Sequence, residues 1–380
     1  MESPRVLISG ASVAGPALAY WLRRYGIRPT VVERAPAPRG GGQAVDLRGA
    51  AREVVERMGI MPDVRRAHTG ARGMSIVDER GRRIAGLDAE VLGHSGGAIA
   101  EIESLRGDLV RILHKTTQDG VEYVFDDSII EIDQDEDGVR TTFVRSEPRT
   151  FDLAVGADGL HSNVRSLVFG DESAYAHDLG CYVAIFGTTG YPGLDGWELM
   201  HNAPPGRTAG LYPVGSDGDV RAMFFFASPP VDYDRRDVDR QQQLVADAFA
   251  DVGWEVPRLL EAMRNAPDFY FDRVCQIRME HWSTGRIALL GDAAYCQSPM
   301  AGLGTSSALV GAYVLAGELA RSGGDHQVAF TRYQSAMADY VRKAQKQVSG
   351  AKGFLLPQSR LGTWSATRAC GCCRTCRGRG

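Results

Sequence analysis

Ile8-Ser9-Gly10-Ala11-Ser12-Val13-Ala14-Gly15, followed by Val31-Val32-Glu33-Arg34, is the stretch that decides the fold. Arg5-Val6-Leu7-Ile8 before it is a short apolar run suited to a buried parallel strand. Gly10 permits the tight turn out of that strand, and Gly15 lets the next helix pack closely on the sheet. The helix is expected from about Val13 to Tyr25, with Gly26 as its C-cap. Its first amides lack partners within the helix and suit a pyrophosphate. A second strand, Thr30-Val31-Val32, delivers Glu33 about 20 residues on, where an acid accepts from ribose hydroxyls. Ser12 replaces the middle glycine of G-x-G-x-x-G; it is small, and its hydroxyl can donate. An acid at this strand end fits a ribose without a 2′-phosphate, which allows FAD or NAD and argues against NADP here.

Two later stretches repeat the geometry. Phe151-Asp152-Leu153-Ala154-Val155 reads as a strand running into Gly156-Ala157-Asp158-Gly159, then His161-Ser162-Asn163-Val164-Arg165. Arg286-Ile287-Ala288-Leu289-Leu290 reads as a strand running into Gly291-Asp292. Pro299-Met300-Ala301-Gly302-Leu303-Gly304 and a long helix, Thr305 to about Leu319, come next. Each stretch sets an aspartate just past a buried strand, where ligands sit in open α/β sheets. Asp292 is placed to take a hydroxyl of a ribityl chain. The helix opened by Gly302-Leu303-Gly304 turns its dipole toward the anionic pyrimidine edge of a reduced flavin. Gly291-Asp292 alone would be an ordinary turn; the three stretches together specify FAD.

With these motifs in this order, the chain resembles the class A flavoprotein monooxygenases with the para-hydroxybenzoate hydroxylase fold, over roughly residues 3 to 360. Single residues are also similar to those of tetracycline-inactivating and related aromatic hydroxylases. Arg39 in Pro38-Arg39-Gly40, Asp46 in Val45-Asp46-Leu47-Arg48 and Arg106 in Leu105-Arg106-Gly107-Asp108 match cofactor-contacting positions. Without the resemblance, Asp46 reads as a loop residue and Arg106 as a helix-face charge. The cofactor contacts are thus Gly10, Ser12, Ala14, Gly15, Glu33, Arg34, Arg39, Asp46, Arg106, Asp158, Asp292, Pro299, Gly302, Leu303 and Gly304.

The resemblance implies a reaction as well. NADPH or NADH delivers hydride to FAD, dioxygen follows, and a flavin C4a-hydroperoxide transfers oxygen to an aromatic or polyketide-like small molecule. No second Rossmann motif serves the nicotinamide, which in this family docks transiently. The protein's share is a dry pocket, placement and fixed dipoles.

Composition fits an enzyme of this kind. A chain of 380 residues can hold two domains with a substantial core. The net charge of -4 gives no electrostatic reason for nucleic acid. No apolar stretch approaches the ~20 residues that span a bilayer. Strand residues follow the first methionine directly, so no secretory signal is read and a cytoplasmic location is expected. Cys181, Cys275 and Cys296 are scattered, which suits reduced structural thiols, and no histidine pair has metal-ligand spacing. Oligomeric state is not legible.

The predicted class is α/β, a discontinuous Rossmann-type FAD-binding domain (1–70, 98–175, 275–350) with a β-rich substrate domain (71–97, 176–274) and C-terminal helices. The first insertion reads as a hairpin around Glu79-Arg80-Gly81. The second reads as strands Tyr182 to Thr188, Trp197 to His201, Thr208 to Val214 and Arg221 to Ala227, then a helix, Asp237 to Asp251. Turns such as Ser216-Asp217-Gly218 separate the strands. Late helices, Thr305–Leu319 and Gln327–Val348, close the flavin domain. Pocket walls are expected from Met200, His201, Tyr212, Pro213 and Phe225, with core packing the competing reading for each aromatic. His201 and Tyr212 could relay a phenol proton; a solvated strand-end histidine is the competing reading of His201, and no catalytic base is assigned.

A flavin-dependent halogenase would need a W-x-W-x-I-P motif that Trp197 and Trp254 do not supply. A reductase or dehydrogenase of the same superfamily, epoxidation or Baeyer–Villiger chemistry, and a flavin binder without turnover stay open. The extension 351–380 changes character near Thr363. Cys370, Cys372, Cys373 and Cys376 lie among arginines and glycines without zinc-site spacing, so a disordered tail is expected.

Overall fold

Val6, Leu7 and Ile8 are apolar in succession because their strand, Arg5–Ser9, is covered on both faces. In the computed structural model, which describes residues 3–88, 102–191, 194–214 and 219–359, it lies inside a six-stranded sheet. The order is Ser283–Thr284, Ile287–Leu289, Leu153–Gly156, Arg5–Ser9, Arg28–Glu33, Glu122–Phe125. All neighbours are parallel except the first pair. The registers Ser9↔Gly156 and Gly156↔Leu289 align the strand ends that carry the three motifs. The chain moves to one side of Arg5–Ser9 first and to the other later, which opens a crevice at those ends. Helix Ala14–Arg24 packs on helix Gly304–Arg321 over this sheet.

The second sheet has seven strands, ordered Tyr270–Ile277, Ala176–Thr188, Val220–Ala227, Arg207–Pro213, Trp197–Asn202, Gly73–Val77, Arg83–Asp88. The strands of the two insertions therefore share one sheet. Its two faces are chemically distinct because side chains alternate. On the back, Phe186, Phe224 and Phe226 pack under helices Val238–Phe249 and Val256–Arg264. On the front, Val183, Ile185, Phe225 and Val274 meet Met300 and Val348.

Four elements differ from the sequence expectation. The run Phe151–Val155 is not one strand. Arg149–Phe151 joins an antiparallel sheet with Val139–Phe143 and Ile129–Gln134, and Leu153–Gly156 joins the parallel one. The sheets part at Asp152, whose carboxylate accepts from the Arg5 amide at 2.6 Å. Helix Val256–Arg264 and strand Tyr270–Ile277, which crosses the expected boundary at 275, were not foreseen. The last helix, His326–Leu355, runs past Val348 despite Gly350 and Gly353. Tertiary contacts offset their poor propensity: Lys352 Nζ donates to the Leu179 carbonyl at 2.5 Å, and Phe354 and Leu355 pack near Met74 and Met200. The Ser216-Asp217-Gly218 turn and the Cys-rich tail lie outside the described residues.

Candidate active site

Glycines draw the three motifs together. Gly10 sits at φ +106°, and a Cβ there would lie 2.5 Å from the Ala157 carbonyl oxygen. A Cβ on Gly15 would lie 1.9 Å from the Gly10 oxygen. At Gly291 it would lie 3.4 Å from the Ala14 Cβ. No side chain caps the first helix, so Ser12, Val13 and Ala14 turn an open helix N-terminus to the crevice. Glu33 ends the second strand, accepting from the Ala11 and Ala35 amides at 2.9 Å each and pairing with Arg39 at 3.3 Å. Arg34 beside it is exposed.

The other polar residues converge on the same crevice. Asp292 lies beyond its strand, 3.6 Å from where a Cβ on Gly304 would stand. Burial raises its pKa, while the Cys296 thiol and Arg106 work the other way. Asp46, ion-paired with Arg48 at 2.7 Å, comes within 3.3 Å of a Cβ built on Gly302, and Leu303 caps the following helix. Pro299 is exposed at the lip of that loop. Asp158 is committed elsewhere: it accepts from Ser162 Oγ at 2.5 Å, the Val164 amide at 3.1 Å and Ser9 Oγ at 3.3 Å. It shapes the loop and orients Ser162, which caps helix Asn163–Val168.

Arg106 tests whether the crevice fits FAD. Its guanidinium lies over Gly42, among Arg39, Asp292 and Glu33, and makes no hydrogen bond to a described residue. Burial, and next the charge of Arg39, lower its pKa. A partly buried, unpaired guanidinium beside a second arginine and an open helix N-terminus calls for an anion, and a dinucleotide pyrophosphate supplies one. The residues present fit the cofactor.

Alternation sorts the expected pocket residues. Met200, Tyr212 and Phe225 are on the front face, toward Met300 and the glycine loop. His201 is not brought to the site: it points back, donates from Nδ1 to the Val77 carbonyl at 3.2 Å and packs 5.6 Å from Trp254. It is 4% exposed and so not solvated, and burial lowers its pKa. Pro213 pairs with Val220 in register and shares the back face with Leu211.

Front residues that the sequence did not single out are Glu198, Arg221, Met223 and Tyr270. Arg221 is ion-paired with Asp268. Burial holds Glu198 well above the usual carboxylate range, and the charges of Glu103 and Asp46 add to this. Glu103 itself accepts the Thr69 hydroxyl at 2.6 Å, yet burial and the Asp46 charge push it up to about 7. Burial likewise raises the Tyr212 phenol. Tyr270 was missed because its strand was missed; with the strand assigned, period-two counting back from Val274 finds it.

Comparison with known proteins agrees with this geometry. Residues 4–345 match the model of the FAD binding domain family. The chain is 46% identical over 346 residues to an uncharacterised protein of Mycobacterium tuberculosis, covering 90% of this chain and 92% of that one. It is 40% identical over 345 residues to a flavin-dependent monooxygenase of Legionella longbeachae, covering 90% and 87%. Its structure matches that of the tetracycline destructase Tet(55) with a TM-score of 0.85 and 36% identity, covering 97% and 95%. The chain belongs to the FAD-binding family of class A flavoprotein monooxygenases.

Proposed function

We propose that this enzyme hydroxylates an aromatic or polyketide-like small molecule, consuming NADPH or NADH and dioxygen. The observation that carries the reading is the front face of the seven-stranded sheet. Met200, Met223 and Phe225 make it apolar, while Glu198, Tyr212, Arg221 and Tyr270 set a few polar groups into it. Such a wall suits a flat, largely apolar ligand fixed by a small number of hydrogen bonds. Phe225 on the sheet and Met300 on the glycine loop belong to one buried apolar cluster, which suits a site that excludes water. The likeness to a tetracycline destructase supports a polycyclic or aromatic substrate class.

Bound FAD would supply the electron transfer from the nicotinamide and the oxygen-transfer chemistry. The chain's own residues do the rest. The helix that starts at Gly304 and Arg106 favour negative charge on the cofactor. Tyr212, whose phenol is neutral near pH 7 and raised further by burial, offers a hydroxyl to the substrate. The test is to supply aromatic candidates with heavy dioxygen and follow NAD(P)H loss. One labelled oxygen in the product, with faster NAD(P)H oxidation when substrate is present, is expected. A product without label would move the reading to a superfamily reductase.

A further inference from the structure

We propose that Tyr270, Asp272, His161 and Glu172 form a proton relay between the flavin cleft and the protein surface, with Tyr270 at its inner end. Tyr270 Oη donates to Asp272 Oδ2 at 3.2 Å. The same oxygen accepts from His161 Nε2 at 2.9 Å. His161 Nδ1 then meets both Glu172 oxygens at 3.0 Å. The Asp272 side chain is 8% exposed, while those of His161 and Glu172 are 26% and 21% exposed, so the far end of the series reaches solvent.

The inner end faces the cleft. Tyr270 is 44% accessible, yet its polar neighbours are the interior groups Asp272, Arg106 and Cys296. Its strand partner in register is Ile185, on the front face. The accessible part of the ring therefore borders the space between the sheet and the FAD crevice. Its hydroxyl hydrogen rests on Asp272 and, by rotation of the hydroxyl, can turn to an acceptor in that space.

The surroundings hold the series in place. Arg165, fully buried, donates to Glu172 at 2.8 Å and to the Ala293 and Leu160 carbonyls at 2.9 and 2.6 Å. Asp272 also accepts from the Arg273 amide at 2.8 Å and faces the Tyr233 hydroxyl at 3.5 Å. Arg235 adds positive charge near Glu172. Burial opposes charge on His161, but Asp272 and Glu172 outweigh it and raise its pKa. The raised pKa favours a proton on each nitrogen, the form that links two carboxylates.

In the inward direction Tyr270 gives its proton to an acceptor in the cleft and regains one from His161 through Asp272. His161 is reprotonated from water through Glu172. One proton enters, one leaves, and no electron moves. Reduction of bound FAD takes up protons, so the relay has a task whatever the substrate is.

The experiment uses the full FAD-loaded chain, photoreduced in weak buffer with a pH-indicator dye. In the unsubstituted protein, proton uptake should keep pace with flavin bleaching. In Y270F and D272N it should lag by about tenfold or more, with FAD affinity unchanged in Y270F. H161Q should lag likewise and be partly restored by added imidazole. Y270F removes a single oxygen from a cleft-facing ring, so it stands as the test even if D272N or H161Q fails to fold. Uptake at the unsubstituted rate in Y270F would overturn the relay. So would lowered melting temperatures in D272N and H161Q without a lag, which would make the series a structural tie.

Discussion

The FAD crevice and the seven-stranded sheet are built on opposite terms. In the crevice, glycines set the geometry: the contacts of Gly10 and Gly15 leave no room for a Cβ, and Gly291 holds a positive φ of +67°. In the sheet, pairing sets the geometry, and what matters is which face a side chain takes. A cofactor common to a whole family meets backbone, which few substitutions can imitate. Side chains on a sheet face can change without disturbing the ladder behind them.

Matched glycine substitutions should show the largest contrast. Gly15→Ala drives a Cβ into the Gly10 carbonyl, whereas a Cβ on Gly210 in the seven-stranded sheet stays 3.4 Å from its nearest neighbours. G15A should lose FAD and about 3 kcal/mol or more of stability by urea titration. G210A should stay within about 1 kcal/mol. Equal losses would erase the distinction.

The arginines come next. Arg106→Met should weaken FAD binding roughly 10- to 100-fold by flavin-fluorescence titration, because a charge-assisted contact is lost. Arg221→Met should raise the substrate KM more than the FAD Kd. The reverse pattern would exchange the roles of the two regions.

A pH effect of intermediate size is expected where the regions meet. The folded pKa of Glu103, about 7, lies above its ordinary value of 4.5, so the folded state holds an extra proton. Its contribution to stability is full below about pH 4.5 and is lost as the pH rises through about 7. Glu103→Gln, which keeps an acceptor for Thr69, should stabilise the cofactor-free protein at pH 8 by about 1–3 kcal/mol and do little at pH 4.5. Thermal melts at both values check this; an equal gain at both would mean that Glu103 does not titrate in this range.

The smallest effects separate the two faces of the sheet. Tyr212→Phe should raise the substrate KM about fivefold, the worth of one hydrogen bond. His201→Gln should leave KM within about twofold and cost some stability. A larger KM effect from the back-face residue would mean that the sheet transmits rather than merely supports.

The motifs were legible because each acts through its own backbone. Gly10, Gly15, Glu33, Asp292 and Gly304 are set by spacing along the chain, and the structure gathers them at one crevice. Asp158 shows the limit of that legibility, since its carboxylate is spent on Ser9, Ser162 and Val164. His201 and Pro213 were expected in the pocket because their strands were found, but the facing of those strands was not. Tyr270 was missed for want of its strand, and its partner His161 stands 109 positions earlier, on the loop after Asp158.

By itself, then, the sequence determined the α/β class, the FAD crevice and the family, because turns, open helix ends and buried strands are local consequences of residue type and spacing. Only the tertiary structure decided which side chains take the front face of the seven-stranded sheet and which polar groups join across the sheets. Strand register sets every facing at once, and a shift of one residue would reverse them all.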